Sequence, residues 1–204
     1  MPTGEGAVRL TQQQRTAITR KQILDAAVSV LFREGYSGAT TLRIQQEAGV
    51  SRGRLLHQFP SREDLLVAAV QHLAIARIAD LGPPADWPDD HAGRIGCAVD
   101  LMWSTFQQPY FWASTELWMA SRADETLRES LLPHERRLGN LVRETTDALF
   151  GADLCSRPHY EVVREQLLTS MRGVALTYAF DPRDPRTDSH LPDWKLLAHT
   201  LLAL

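Results

Sequence analysis

The chain has 204 residues, which amounts to about one to one-and-a-half average domains and is enough for a core that needs no disulfide or metal. Hydrophobic residues make up 44% and charged residues 23% of the sequence, so a disordered or fibrous protein is excluded. Residues 1–80 hold ten basic and seven acidic side chains, and the remaining residues hold twelve basic and eighteen acidic ones. This charge asymmetry favours a nucleic-acid-binding part joined to a second module.

Two further exclusions concern the compartment. No apolar run approaches the roughly 20 residues needed to span a bilayer, and the first residues contain no apolar segment of a secretory signal. Cys97 and Cys155 are the only cysteines, too few for a disulfide scaffold. We therefore expect a cytoplasmic protein without a membrane partner, with residues 1–14 as a flexible N-terminal arm.

The first predicted helix is defined by apolar spacing. Ile23, Ala27, Val30 and Leu31 recur at helical intervals, and Gly35 follows where a helix would end. Eight more helices are expected, in chain order near 41–48, 52–58, 62–78, 91–107, 109–122, 134–150, 158–180 and 192–204. Sustained strand alternation is absent from the sequence. The chain is therefore predicted to be all-α, with about nine helices.

Residues 40–59 carry the most specific pattern. Two short helices are joined by a tight turn at Gly49, which is typical of a helix-turn-helix whose second helix enters the major groove of DNA. That helix begins Ser51-Arg52-Gly53-Arg54, which supplies two forked guanidinium donors and a glycine that lets the backbone approach DNA closely. A solvated basic turn is the alternative for the Arg-Gly-Arg alone, and the two capped helices around it favour DNA binding.

These residues resemble the tetracycline-repressor (TetR) family of bacterial transcription regulators. The matching positions run at fixed spacing from Ile23 to Leu66 and include Ala48-Gly49-Val50-Ser51 and Phe59-Pro60-Ser61-Arg62. The resemblance implies a three-helix, helix-turn-helix DNA-binding domain over residues 15–62. It also implies a helical ligand-binding and dimerisation domain over residues 63–204.

The resemblance also implies which side chains contact DNA. They lie at the start of the first motif helix, along the second, and at the start of the next helix: Thr41, Leu42, Arg43, Ser51, Arg52, Gly53, Arg54, His57 and Arg62. Arg62 and His57 are expected to contact phosphates. Members of the family usually have an aromatic residue, often tyrosine, where Leu56 stands and histidine where Gln58 stands. The loss of one neutral phosphate bond at Leu56 costs about 1 kcal/mol.

Aromatic side chains are concentrated in residues 87–119. As a group they suit a cavity for an apolar or aromatic small molecule, and the resemblance implies such a pocket in the C-terminal helices. Four residues are predicted to line it: Trp103, Phe106, Tyr110 and Trp118. For any one of them, an ordinary place in the helical core is the alternative.

The last two long helices are more apolar than a single buried stripe requires. The resemblance implies that they form a homodimer interface, with these residues in it: Leu167, Met171, Val174, Tyr178, Trp194, Leu197 and Leu201. The DNA geometry also requires a dimer. A pseudo-palindromic operator in double-stranded DNA has two half-sites one helical turn apart, and each half-site needs its own recognition helix. Burial inside one subunit is the alternative.

Patterns typical of an enzyme are missing from the sequence. His134 and Glu135 form a lone acid–base pair without a second metal ligand at helical spacing, and no nucleophile elbow or phosphate-binding glycine loop occurs. We expect no catalytic activity, no metal and no cofactor. The sequence predicts a DNA-binding transcriptional regulator, a repressor released by a small apolar or aromatic effector. A helical scaffold that uses its helix-turn-helix for protein contacts is the alternative.

Overall fold

The computed structural model describes residues 11–79, 81, 83 and 86–202, and all regular structure within them is helical. Ten α-helices follow one another, with a 3-10 turn at Pro185–Thr187 before the last: α1 (Gln12–Gly38), α2 (Thr41–Ala48), α3 (Arg52–Gln58), α4 (Arg62–Ala79), α5 (His91–Thr105), α6 (Pro109–Ala120), α7 (Glu125–Phe150), α8 (Ala152–Cys155), α9 (Tyr160–Thr177) and α10 (His190–Leu202). The predicted all-α class is confirmed. The helix beyond the nine predicted is the four-residue α8.

Helix α1 starts earlier than the sequence predicted. Thr11 and Gln14 form a capping box, in which the Thr11 hydroxyl accepts from the Gln14 N–H at 3.2 Å and the Gln14 side chain accepts from the Thr11 N–H at 2.8 Å. The predicted flexible arm of residues 1–14 is therefore wrong for its last residues. Its first ten residues lie outside the described part of the chain.

Local signals fix the helix-turn-helix. The side chains of Thr40 and Ser51 cap α2 and α3 by accepting from backbone N–H groups at 3.3 Å. Between them Gly49 has a left-handed φ of 63°, which closes the turn with little steric cost because it has no Cβ. Ile44 of α2 and Leu55 of α3 are buried in one core cluster with α1 and α4. The two short helices are thereby held on α1 and α4.

The first core cluster does not stop at the predicted domain boundary between residues 62 and 63. Leu65 and Leu66 of α4 belong to it, and so do Leu117 of α6 and Leu127 of α7. The predicted boundary therefore falls inside a packed unit. A second cluster joins α5, α6, α7, α8, α9 and α10. No helix in the described ranges is long and apolar enough to cross a membrane.

Helix α7 begins at Glu125, nine residues before the predicted start at His134. Asp124 caps it by accepting from the Leu127 N–H at 2.9 Å. Pro133 lies inside this helix, where a proline has no N–H to donate and is unfavourable. Burial of Leu127 and Leu131 in the first core cluster offsets that cost, so the helix continues through the proline.

Candidate functional site

The exposed face of α3 is the first part of the candidate site. Leu55 points into the core, whereas Arg52, Gly53, Arg54 and His57 are all exposed. In the part of the chain that the structure describes, neither Arg52 nor Arg54 is ion-paired with a carboxylate. Both guanidinium groups are therefore available to an external partner at the start of a capped helix.

The start of α2 carries three more of the predicted DNA-contacting residues. Leu42 is 59% exposed, Thr41 is half-buried, and Arg43 is exposed. The Arg43 guanidinium is 3.7 Å from a Glu34 carboxylate oxygen, a loose surface ion pair of small energy. The predicted residues of α2 and α3 are thus exposed apart from the half-buried Thr41, and Arg43 is less free than Arg52 and Arg54.

Arg62 corrects one prediction. Its Nε donates to the Ala39 carbonyl at 2.8 Å, a second guanidinium nitrogen donates to the Tyr36 carbonyl, and the guanidinium stacks 4.1 Å from the Tyr36 ring centre. Its Nη1 also lies 3.5 Å from a Glu63 oxygen. These internal contacts tie α4 to the end of α1 and occupy the group predicted to contact a phosphate. Arg62 therefore has a structural role.

A support for α3 was not predicted. Phe59, which follows α3 directly, is buried, and the Arg20 guanidinium of α1 lies 4.4 Å from the centre of its ring. This cation–π contact holds the end of the recognition helix against α1. Sequence spacing gives no sign of it because the two residues are 39 positions apart.

The second part of the candidate site is a cavity of about 520 Å³ walled by α4, α5, α6, α7 and α9. Of the four predicted ligand-binding residues, Phe106, Tyr110 and Trp118 line it. Phe111 adds a further ring, packed edge-on against Phe106 with ring centres 5.3 Å apart. The volume falls within the range of small-molecule sites.

Trp103, the fourth predicted ligand-binding residue, does not line this cavity. Only 3% of it is exposed, and its indole N–H donates to the Pro185 carbonyl at 2.8 Å. Its ring packs against Trp194 and Tyr178, with ring centres 4.9 and 5.9 Å away. The prediction is wrong because this face of α5 turns towards α10, where Trp103 fills the core and fixes the loop before α10.

Charged groups also line the cavity, and the sequence interpretation missed their role. Glu135, which the sequence offered only as half of a lone acid–base pair, accepts from the Gln71 amide at 3.2 Å. Burial raises the pKa of Glu135, and a hydrogen bond from the Trp118 side chain and the charge of Arg172 oppose that shift. The Gln71–Glu135 bond joins the cavity wall to α4.

Arg143, Glu165 and Arg172 complete the charged lining. One signal could have identified Arg143 in the sequence, because Glu135, Gly139 and Arg143 recur every fourth residue and so share one face of α7. All three line the cavity. The spacing alone does not reveal whether such a face points inwards or to solvent.

The predicted dimer residues divide into two groups. Leu167, Met171 and Trp194 are buried in the second core cluster of the same chain, so their assignment to an interface is wrong. Val174, Tyr178 and Leu201 are half-buried and Leu197 is 37% exposed. Other apolar side chains on or next to the last two helices face outwards, namely Val162, Phe180 and Leu196. Periodicity identified apolar helices but not the partner of each face.

Comparisons with known proteins agree with this arrangement. Residues 23–69 match the bacterial regulatory proteins of the tetR family. The transcriptional regulator CymR of Pseudomonas putida is 29% identical over 175 residues, which cover 82% of this chain and 83% of CymR.

Solved structures share the fold across both parts of the site. SCO1917 from Streptomyces coelicolor A3, a member of the TetR family, superposes with a TM-score of 0.62 at 19% identity, over 91% of this chain and 99% of that one. The multidrug binding protein EbrR in complex with proflavin gives a TM-score of 0.55 at 20% identity, over 90% and 99%. Residues 23–69 are thus similar to the tetR family of bacterial regulatory proteins, and the chain as a whole shares the fold of these two structures.

Proposed function

We propose that this protein is a transcriptional repressor that binds a pseudo-palindromic DNA duplex as a homodimer and leaves it when a small apolar or aromatic molecule fills the cavity. The observation that carries the proposal is the exposed start of α3, where Arg52 and Arg54 stand on a capped recognition helix without ion pairs among the described residues. A dimer bound at a promoter excludes other proteins from the same DNA, which accounts for repression.

The proposed contacts with DNA divide by chemistry. Arg52 and Arg54 are suited to guanine edges in the major groove, because a guanidinium can donate to the guanine O6 and N7 together. Thr41, Ser51 and His57 are suited to phosphate oxygens, and Gly53 lets the α3 backbone come close. The exposed Leu42 side chain is suited to the methyl group of thymine.

The proposed homodimer forms through the outward faces of α9 and α10. Leu196 is 66% exposed and Leu197 37% exposed on α10, and Val162 adds an exposed apolar side chain on α9. Apolar groups in this position gain by burial against a second copy. Leu197 keeps its proposed place in the interface, and the half-buried Val174 and Leu201 are proposed to lie at its edge. Tyr178 packs against Trp103 and bonds Asp188 within the chain, so it is left out of the proposed interface.

Helix α4 is proposed to couple the two sites. Its residues Leu65 and Leu66 pack in the first core cluster with the helix-turn-helix, whereas Ile78 near its other end lines the cavity. The Gln71 amide, between those points, bonds Glu135 of the cavity wall. A ligand that shifts α4 must therefore change operator affinity, and by linkage the operator changes ligand affinity by the same factor.

The test begins with selection of a binding sequence from random duplex DNA by the full chain. Fluorescence anisotropy then measures the affinity of Arg52→Ala and Arg54→Ala for the selected duplex. Each variant is expected to lose about 1–3 kcal/mol, or about 5- to 150-fold in Kd. Arg128→Ala is the matched control, because this exposed arginine lies on α7 and is paired with Glu125 at 2.9 Å.

Two outcomes contradict the proposal. Recovery of no preferred sequence favours the alternative of a helical scaffold that uses the helix-turn-helix for protein contacts. Equal affinity of the wild type and both α3 variants shows that DNA contacts another surface.

A further inference from the structure

The charged side chains of the cavity are not equivalent. Two are acidic, Glu135 and Glu165, and two are basic, Arg143 and Arg172. An unpaired charge in a partly enclosed cavity attracts the opposite charge strongly. The charged side chains that lack a partner inside the protein therefore determine the kind of ligand.

Both acidic groups are engaged. Glu135 accepts from the Gln71 amide at 3.2 Å and from the Trp118 side chain, and the positive charge of Arg172 acts on it. Glu165 lies 3.3 Å from Arg164 and is half exposed to solvent. Neither carboxylate offers an unopposed negative charge to a ligand in the cavity.

Arg143 differs from them. Its one hydrogen bond among the described residues joins Nη2 to the Asn140 side-chain oxygen at 2.6 Å, on its own helix, and no carboxylate of those residues lies within ion-pair distance. Arg172 stacks over the Trp118 ring at 5.4 Å, and its charge acts on Glu135. Among the described residues, Arg143 is therefore the charged lining group that has no opposite charge beside it.

The Arg143 guanidinium lies over Gly139 of the same helix. A Cβ at Gly139 would meet only the Arg143 guanidinium, at 3.7 Å and 3.9 Å, so the group folds back over a position of α7 that has no side chain. Glu135 and Arg143 are eight residues apart on this face, about 12 Å along the helix. The Arg143 guanidinium thus covers the cavity wall at Gly139, and aromatic rings of α6 also line the cavity.

We propose that the effector is an aromatic carboxylic acid whose carboxylate binds the Arg143 guanidinium while its ring packs against Phe106, Phe111 and Trp118. A planar guanidinium binds a carboxylate through two parallel hydrogen bonds, and the aromatic walls cover the flat apolar body. The inference rests on the proposed function, because it names the class of effector for the same cavity. A ligand cation would instead meet two arginines and two engaged carboxylates.

The test uses three molecules of one shape and different charge: 2-naphthoate, 2-naphthamide and 2-naphthylmethylammonium. Isothermal titration calorimetry at neutral pH measures their binding to the full chain. We expect 2-naphthoate to bind about tenfold to about a hundredfold more tightly than the amide, the range of one charge-assisted hydrogen bond. Arg143→Gln should remove that difference, and Arg143→Lys should retain part of it.

The matched control is Arg136→Gln, an exposed arginine of α7 that does not line the cavity. It should leave the preference for 2-naphthoate unchanged. Circular dichroism and operator affinity of each variant show that the fold and the DNA-binding face are intact. A preference for the carboxylate that survives in Arg143→Gln overturns the assignment of Arg143.

Failure of this inference and failure of the proposed function give different results. If the ammonium or the amide binds best and releases operator DNA, the cavity is an effector site but the carboxylate class is wrong. If none of the three binds, the inference and the effector part of the proposed function both fail. If 2-naphthoate binds through Arg143 but operator affinity stays the same, the ligand class stands and the coupling to DNA fails.

Discussion

The substitution Arg62→Met tests whether Arg62 stabilises the fold or contacts DNA. The side chain is 23% exposed and makes two hydrogen bonds to the carbonyls of Tyr36 and Ala39 and a cation–π contact 4.1 Å from the Tyr36 ring centre. Hydrogen bonds to charged groups contribute about 1.5–3 kcal/mol each and an exposed cation–π contact about 0.5–1 kcal/mol. With partial exposure taken into account, we expect a loss of roughly 2–4 kcal/mol in the free energy of unfolding.

Two measurements distinguish the roles. Urea unfolding followed by circular dichroism gives the change in stability, and operator affinity measured over a range of salt concentration gives the number of phosphate contacts. If Arg62 contacts a phosphate, its replacement reduces the magnitude of the slope of log affinity against log salt by about one. If Arg62 has a structural role, the folded variant keeps the slope of the wild type. Arg52→Met is the control, since an exposed side chain without an ion pair should change stability by less than about 0.5 kcal/mol.

The reasoning is refuted if Arg62→Met unfolds at the urea concentration of the wild type while its salt slope falls. That result would mean that the guanidinium leaves the Tyr36 and Ala39 carbonyls at no cost when DNA is present.

Three more predictions concern other parts of the chain. Gly139→Ala should raise the free energy of unfolding by about 0.5–1 kcal/mol in a thermal melt, because the new Cβ meets only the Arg143 side chain at 3.7 Å and glycine is unfavourable in a helix interior. A lower Tm would contradict the room for a Cβ at this position. Leu196→Glu should give a folded monomer in sedimentation, whereas Leu167→Glu should unfold the chain because Leu167 is fully buried. A folded, dimeric Leu167→Glu variant would refute the placement of Leu167 in the core of one subunit. Burial and the Asp124 hydrogen bond raise the pKa of Tyr36 from 10.0 to about 12. Above pH 10 the unfolded state therefore loses its phenol proton before the folded state does, and the free energy of unfolding should fall as the pH rises towards 12. Denaturant titrations at successive pH values should show a smaller fall for Tyr36→Phe.

The helix-turn-helix could be predicted from sequence because each of its signals is local. Thr40 and Ser51 cap helices that begin one residue later, and Gly49 supplies a left-handed turn that few other residues adopt at low cost. Such features depend on neighbours in the chain and not on distant helices. The same holds for Ser61, whose hydroxyl accepts from the N–H of Asp64, three residues along the chain, at 3.0 Å.

The cavity and the outward faces could be predicted only in part, because they depend on which helices meet. Trp103 lies in the last turn of α5 and Phe106 directly follows the helix, yet Phe106 lines the cavity and Trp103 packs on α10. Leu167 and Leu196 are both leucines of apolar helices, and one is fully buried while the other is 66% exposed. Helical spacing predicts that a face is apolar, and only tertiary packing determines what covers it.

The shared first core cluster has a consequence for engineering regulators by exchange of domains. Ala113 and Leu117 of α6 and Leu127 and Leu131 of α7 are buried in the same cluster as the helices that carry the DNA-binding residues. A chimaera that joins residues 15–62 to the C-terminal part of another regulator would lose the side chains that complete this core. A working biosensor built on this scaffold therefore needs those four positions transplanted together with the operator-reading helices, or an acceptor protein whose residues there have the same volume.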